Sequence, residues 1–204
     1  RCITMQVEQI MNVFSTWHVI RASGLTAYLL LFVISACGLV LSLQLLPVKH
    51  RAQAMAVHKT AAIACVAFTL LHGLTLLIDK YVAFSLADIL VPWWADGYGN
   101  ELISGIAAFY ILLIITIVSI PGIMKAAGAA VWRKAHYAAL PGFWLALYHG
   151  IAAGTDTGAP AVTALYVLTG CAMLVLCGLK VRRLAEKRRC VHAYSAGGRR
   201  SAAG

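Results

Sequence analysis

Charge is scarce in this chain, and acidic charge scarcest: 7 Asp and Glu stand against 17 Lys and Arg, with only 12% of residues charged. A soluble domain carries about a quarter charged residues, so that class is excluded. The six cysteines, Cys2, Cys37, Cys65, Cys171, Cys177 and Cys190, form no CxxC or CxxCH. That leaves neither a thiolate metal site nor a covalent cofactor-attachment motif, and those within apolar runs read as small packing residues. No strand pattern carries a GxGxxG nucleotide loop. No basic segment leads into a long apolar core and a small-residue cleavage site, so no signal peptide is read. No repeat or linker marks off a second domain.

What is present is apolar: 61% of the 204 residues are hydrophobic. Five stretches are long enough to cross ~30 Å of hydrocarbon at ~1.5 Å per residue. They are Leu25–Leu46, Val57–Ile78, Leu102–Ile120, His136–Ala153 and Ala161–Leu179. The expected fold is an all-α integral membrane bundle of about five transmembrane helices. Apolar residues at helical spacing from Ile3 to Trp17 suggest that residues 1–20 form an outer interfacial helix. Residues 21–180 are then the membrane domain and 181–204 a basic, disordered tail. The chain begins at Arg1, and Met5 and Met11 are candidate initiators.

The loops alternate in sign. Lys49, Arg51 and Lys59 precede or open the second span, Lys125, Arg133 and Lys134 precede the fourth, and Lys180, Arg182, Arg183, Lys187, Arg188 and Arg189 follow the fifth. Asp79, Asp88, Asp96, Glu101 and Asp156 occupy the other loops. The positive-inside rule places the basic loops and C-terminus in the cytoplasm and the N-terminus outside, as expected of a multi-pass plasma-membrane protein. The basic tail reads as a topology anchor or lipid contact, not as a nucleic-acid site. Trp93, Trp94 and Tyr98 read as interfacial anchors.

Four histidines stand within two of the apolar runs: His58 and His72, fourteen residues apart, and His136 and His149, thirteen apart. An ionisable side chain inside a membrane is costly and marks function. The two runs are parallel in direction, so His58 meets His136 toward the cytoplasmic side and His72 meets His149 toward the outer side. Two imidazoles per level suit a bis-histidine haem, whereas closed zinc sites take four ligands. On ideal helices His58 and His72 lie ~40° apart, but His136 and His149 lie ~140° apart. A bend at Pro141-Gly142 is therefore expected to redirect the outer histidine. His18, His50 and His192 fall outside the spans and read as non-ligands. Arg21 and Arg133 are candidate partners of haem propionates; the alternatives are a snorkelling Arg21 and topology charges at Arg133 and Lys134. Asp156, in Gly154-Thr-Asp-Thr157, reads either as a plain polar turn or as an attractor of a cationic acceptor.

Arg21-Ala-Ser-Gly24, His58 with Leu71-His72-Gly73, Trp132-Arg-Lys-Ala-His136-Tyr137 and Tyr148-His149-Gly150 carry a resemblance. From about Arg21 to Leu179 the chain resembles the ferric reductase-like transmembrane domain. That domain is shared by ferric reductases, NADPH oxidases and the haem-binding membrane subunit of the bacterial methionine sulfoxide reductase system. The resemblance implies two haem b groups, His58 with His136 and His72 with His149, the spacings matching the NADPH oxidase pairs. It departs in two ways. The family often has six spans, and its flavin and NAD(P)H domains have no room after Leu179, so flavin is expected on a separate partner.

The expected function is a cytochrome b that carries electrons from a cytoplasmic flavoprotein or quinol to an extracytoplasmic acceptor. That acceptor is ferric iron, dioxygen or a partner reductase. The chain is then an oxidoreductase or, in the alternative, an electron-wire subunit of a larger redox complex with no substrate site of its own. A third class, a transporter with a histidine proton relay, would be colourless when purified.

Overall fold

The computed structural model describes residues 16–79, 84–95, 97 and 99–201, and every regular element among them is an α-helix. In order these are α1 (Thr16–Ser42), α2 (Val48–Leu77), α3 (Leu86–Leu90), α4 (Asn100–Val118), α5 (Pro121–Tyr137), α6 (Ala139–Ala153) and α7 (Pro160–Ser201). Four of them, α1, α2, α4 and α7 over Pro160–Arg189, are long and apolar enough to cross a bilayer. No more than 22% of the residues in their most apolar windows are buried. The apolar side chains therefore face mainly outward, which water penalises and lipid does not. The chain is an all-α membrane protein.

Helix α2 packs on α1 and α4, and α6 packs on the same two helices. The helices that carry His58, His72 and His149 thus lie across a diagonal, flanked by α1 and α4. Helix α7 closes the side of α1 and α6, where the core is densest. There Tyr28 stacks on Phe143 at 5.9 Å and meets Tyr166 edge-on at 5.1 Å, above a fully buried Met173. Edge-on and offset aromatic pairs are the favourable ones, and the buried Tyr28 hydroxyl is satisfied by Thr169 at 2.5 Å.

Three features differ from the sequence expectations. First, the fourth apolar run is not one helix: α5 ends at Tyr137, Ala138 joins the two, and α6 begins at Ala139. The cause is Pro141, which has no N–H for the Tyr137 carbonyl and whose ring crowds it. The break falls three residues ahead of the expected Pro141-Gly142 bend, leaving Pro141 in the first turn of α6, where no N–H is needed. The preceding loop is itself helical and is kinked at Gly128 (φ 81), a backbone state that glycine alone adopts freely. Second, residues 16–20 belong to α1; the remainder of the expected interfacial helix, 1–15, lies outside the described residues. Third, the tail is helical to Ser201. It extends an existing helix and so avoids nucleation, and its Ala, Arg, Lys and Glu residues are strong helix formers aided by the Arg182–Glu186 pair.

Between α2 and α4, Ser85 caps the short α3: its hydroxyl accepts from the Asp88 N–H, and its own N–H donates back to Asp88 at 2.7 Å. The Ser85 hydroxyl, then its N–H, holds the Asp88 carboxyl below the usual carboxylate range.

Candidate functional site

The structure gathers the four histidines into two pairs. His58 and His72 stand on α2, His136 is the penultimate residue of α5, and His149 stands on α6; all four are half-buried. The rings of His72 and His149 face each other with centroids 6.2 Å apart and planes at 80°. His58 and His136 are electrostatic neighbours. Along α2 the fourteen residues between His58 and His72 correspond to ~21 Å of rise.

Three of the rings are seated on main-chain carbonyls. His72 Nδ1 bonds Ile20 O at 2.9 Å, His58 Nδ1 bonds Ile34 O at 3.0 Å, and His149 Nδ1 bonds Glu101 O at 2.8 Å. A carbonyl can only accept, so each Nδ1 carries a proton, and in the neutral ring each Nε2 then keeps its lone pair. That is the tautomer in which imidazole ligates a metal, with its other nitrogen held by an outer hydrogen bond. His136 differs: no facing helix takes its Nδ1, whose hydrogen-bond neighbour is the Trp132 backbone of its own helix, and its ring stacks on that of Trp132 at 4.2 Å and 36°. Among the described residues no three His, Cys, Asp or Glu side chains converge. The donor set is two imidazoles per level.

Arg21 lies at the same end as His72 and His149. Its Nε and Nη2 hold both oxygens of Asp156, at 2.5 Å through Nε, and its guanidinium lies 5.7 Å from the Trp17 ring centroid. Fork-to-fork pairing of this kind uses one edge of the guanidinium and leaves donors on the other. Asp156 is thus engaged within the chain, a link between α1 and the α6–α7 turn that the sequence reading did not anticipate. Arg133 and Lys134 are exposed on α5 beside His136. At the opposite end from Arg21, Lys180 donates to the Ser42 hydroxyl and Arg183 to the Leu43 carbonyl, fastening the basic part of α7 to the end of α1. Trp93 and Trp94 are exposed, as anchors at a boundary are.

No curated protein and no solved structure matches the chain. A family model does, that of the ferric reductase like transmembrane component, over residues 23–147. The match runs from within α1 through most of α6, with His58, His72 and His136 inside it, Arg21 two residues before it and His149 two residues beyond. Covering more than half of the chain, and the helices that pair its histidines, the match shows that the chain belongs to the ferric reductase-like transmembrane component family.

Proposed function

We propose that the chain is a transmembrane b-type cytochrome, holding one haem between His58 and His136 and a second between His72 and His149. Family membership points to electron transfer across a membrane; the haems, their number and the direction are this proposal's own. The observation that carries it is the His72–His149 geometry. A metal–imidazole bond is about 2.0–2.1 Å, so two rings sharing one ion through Nε2 have centroids about 6 Å apart; these stand at 6.2 Å. Both rings keep Nε2 free by spending Nδ1 on a carbonyl. The donor chemistry fits the group.

When bound, haem supplies one-electron transfer at a potential set by its ligands and surroundings. The chain's own residues do the rest. The carbonyl seats hold the imidazoles in one tautomer, and the ~21 Å between His58 and His72 sets the separation of the two levels. Arg21 offers its remaining donors to a carboxylate near the outer pair, as Arg133 does near the inner one. The basic loops receive a cytoplasmic flavoprotein or quinol, and the acidic loops face the acceptor, whether ferric iron, dioxygen or a partner reductase.

Haem quantitation and optical spectra of the purified chain test the proposal. Two haems per chain are expected, all low-spin. His58→Ala and His136→Ala should remove one spectral component, and His72→Ala and His149→Ala the other. A single haem per chain, or loss of the same component on His58→Ala and His149→Ala, overturns the pairing. Full loading with no transfer to any small acceptor favours an electron-wire subunit that works only beside its partner.

A further inference from the structure

Each seated histidine lies against a glycine of the neighbouring helix. A Cβ at Gly105 would stand 2.7 Å from His149 Nδ1, one at Gly24 would stand 2.9 Å from His72 Nδ1, and one at Gly38 would stand 3.4 Å from His58 Cε1. In all three cases the carbonyl that takes the Nδ1 proton belongs to the residue four positions before the glycine: Glu101, Ile20 and Ile34. Helical side chains lean toward the N-terminus and cover the preceding turn. A Cβ at each glycine would therefore lie over that carbonyl. Its absence bares the oxygen's second lone pair, the first being used by the helix.

The register is as regular as the chemistry. Gly24 and Gly38 are fourteen residues apart on α1, the same interval as His58 and His72 on the antiparallel α2. His136 has no such seat on a facing helix: its ring stacks on Trp132, one turn earlier on its own helix.

We infer that Gly24, Gly38 and Gly105 are positioning residues, each opening a helix carbonyl that fixes one histidine with Nδ1 protonated and Nε2 free for iron. The inference rests on the proposed haem ligation for its consequence, though not for its geometry. It also makes the His58–His136 level asymmetric, with one ligand seated on a neighbouring helix and one resting on Trp132 of its own helix.

The test has two parts. In the full-length haem-loaded chain, Gly24→Ala and Gly105→Ala should each remove or shift the component that His149→Ala removes. Gly38→Ala, with the loosest contact, should retain both haems and shift only the midpoint of the other component. Gly73→Ala, beside His72 but with open space around it, should leave haem content and both midpoints at wild-type values. Equal damage from Gly73→Ala and Gly105→Ala, or wild-type midpoints in Gly24→Ala and Gly105→Ala, overturns the inference. The second part needs no variant of the glycines. Histidine labelled with nitrogen-15 in the wild-type chain before haem is loaded, and assigned by single His→Ala variants, should show His58, His72 and His149 protonated at Nδ1. An Nε2–H tautomer at any of the three overturns it. A wild-type chain that binds no haem would sink the proposed function and leave this tautomer measurement to decide the seats.

Discussion

At Arg21 and Asp156 two residues of opposite charge hold the N-terminal part of α1 to the α6–α7 turn. Their side chains are 38% and 32% exposed, so solvent screens the pair and its worth is about 0.5–1 kcal/mol. A double-mutant cycle of Arg21→Ala and Asp156→Asn, read by thermal unfolding, should return a coupling no larger than that. The larger consequence is electrostatic. A positive charge near a redox group favours its reduced form and a negative charge the oxidised form. Arg21→Ala should lower the midpoint of the His72–His149 component, and Asp156→Asn should raise it. Shifts of the same sign in both variants would mean that the pair acts only by holding the helices together.

Pro141 decides how an element ends. On an uninterrupted helix the thirteen residues from His136 to His149 would place the two rings ~140° apart, too far to address the same facing helix. The break at Ala138 uncouples them, so that α5 orients His136 and α6 orients His149. Pro141→Ala restores the missing N–H and allows α5 and α6 to fuse. The expected result is loss of the His72–His149 component with the His58–His136 component retained, read as haem content falling from two per chain toward one. Retention of both components would show that packing against α4, where Gly142 admits Ile111, sets the break without the proline.

For the molecule as a whole, charge and histidine pairs share one axis. Asp79, Glu101 and Asp156 lie at the end with His72 and His149, while Lys180, Arg182 and Arg183 lie at the other. The proposed direction takes the second end as the cytoplasmic one, following the positive-inside rule. In vesicles of known orientation, a reductant on the basic side and an impermeant acceptor on the acidic side should give transfer, and the reverse arrangement little. Transfer only from a donor at the acidic face would reverse the direction. Raising salt should slow the docking of an anionic donor, because surface charges are screened within about 8–10 Å at physiological ionic strength.

Composition alone determined the class: with so few charges and apolar runs long enough for helical spans, the chain satisfies its backbone inside hydrocarbon as a bundle of helices. Spacing went further, since the nearly matched intervals of His58–His72 and His136–His149 already suggested two levels of paired imidazoles. The clash of angular phase at His149, read with Pro141, likewise announced a break in that segment. Local pattern could not reveal which atoms lie across a helix interface. That Nδ1 of His72 meets Ile20 O, or that Asp156 closes on Arg21 from 135 residues away, depends on how separate helices come together. Even the fourteen-residue echo between Gly24–Gly38 and His58–His72, legible in the letters, acquires meaning only when α1 and α2 are known to run antiparallel in contact. The tail went the other way: its polar composition reads as disorder by itself, yet attached to the end of a formed helix it continues the helix, because propagation costs far less than nucleation.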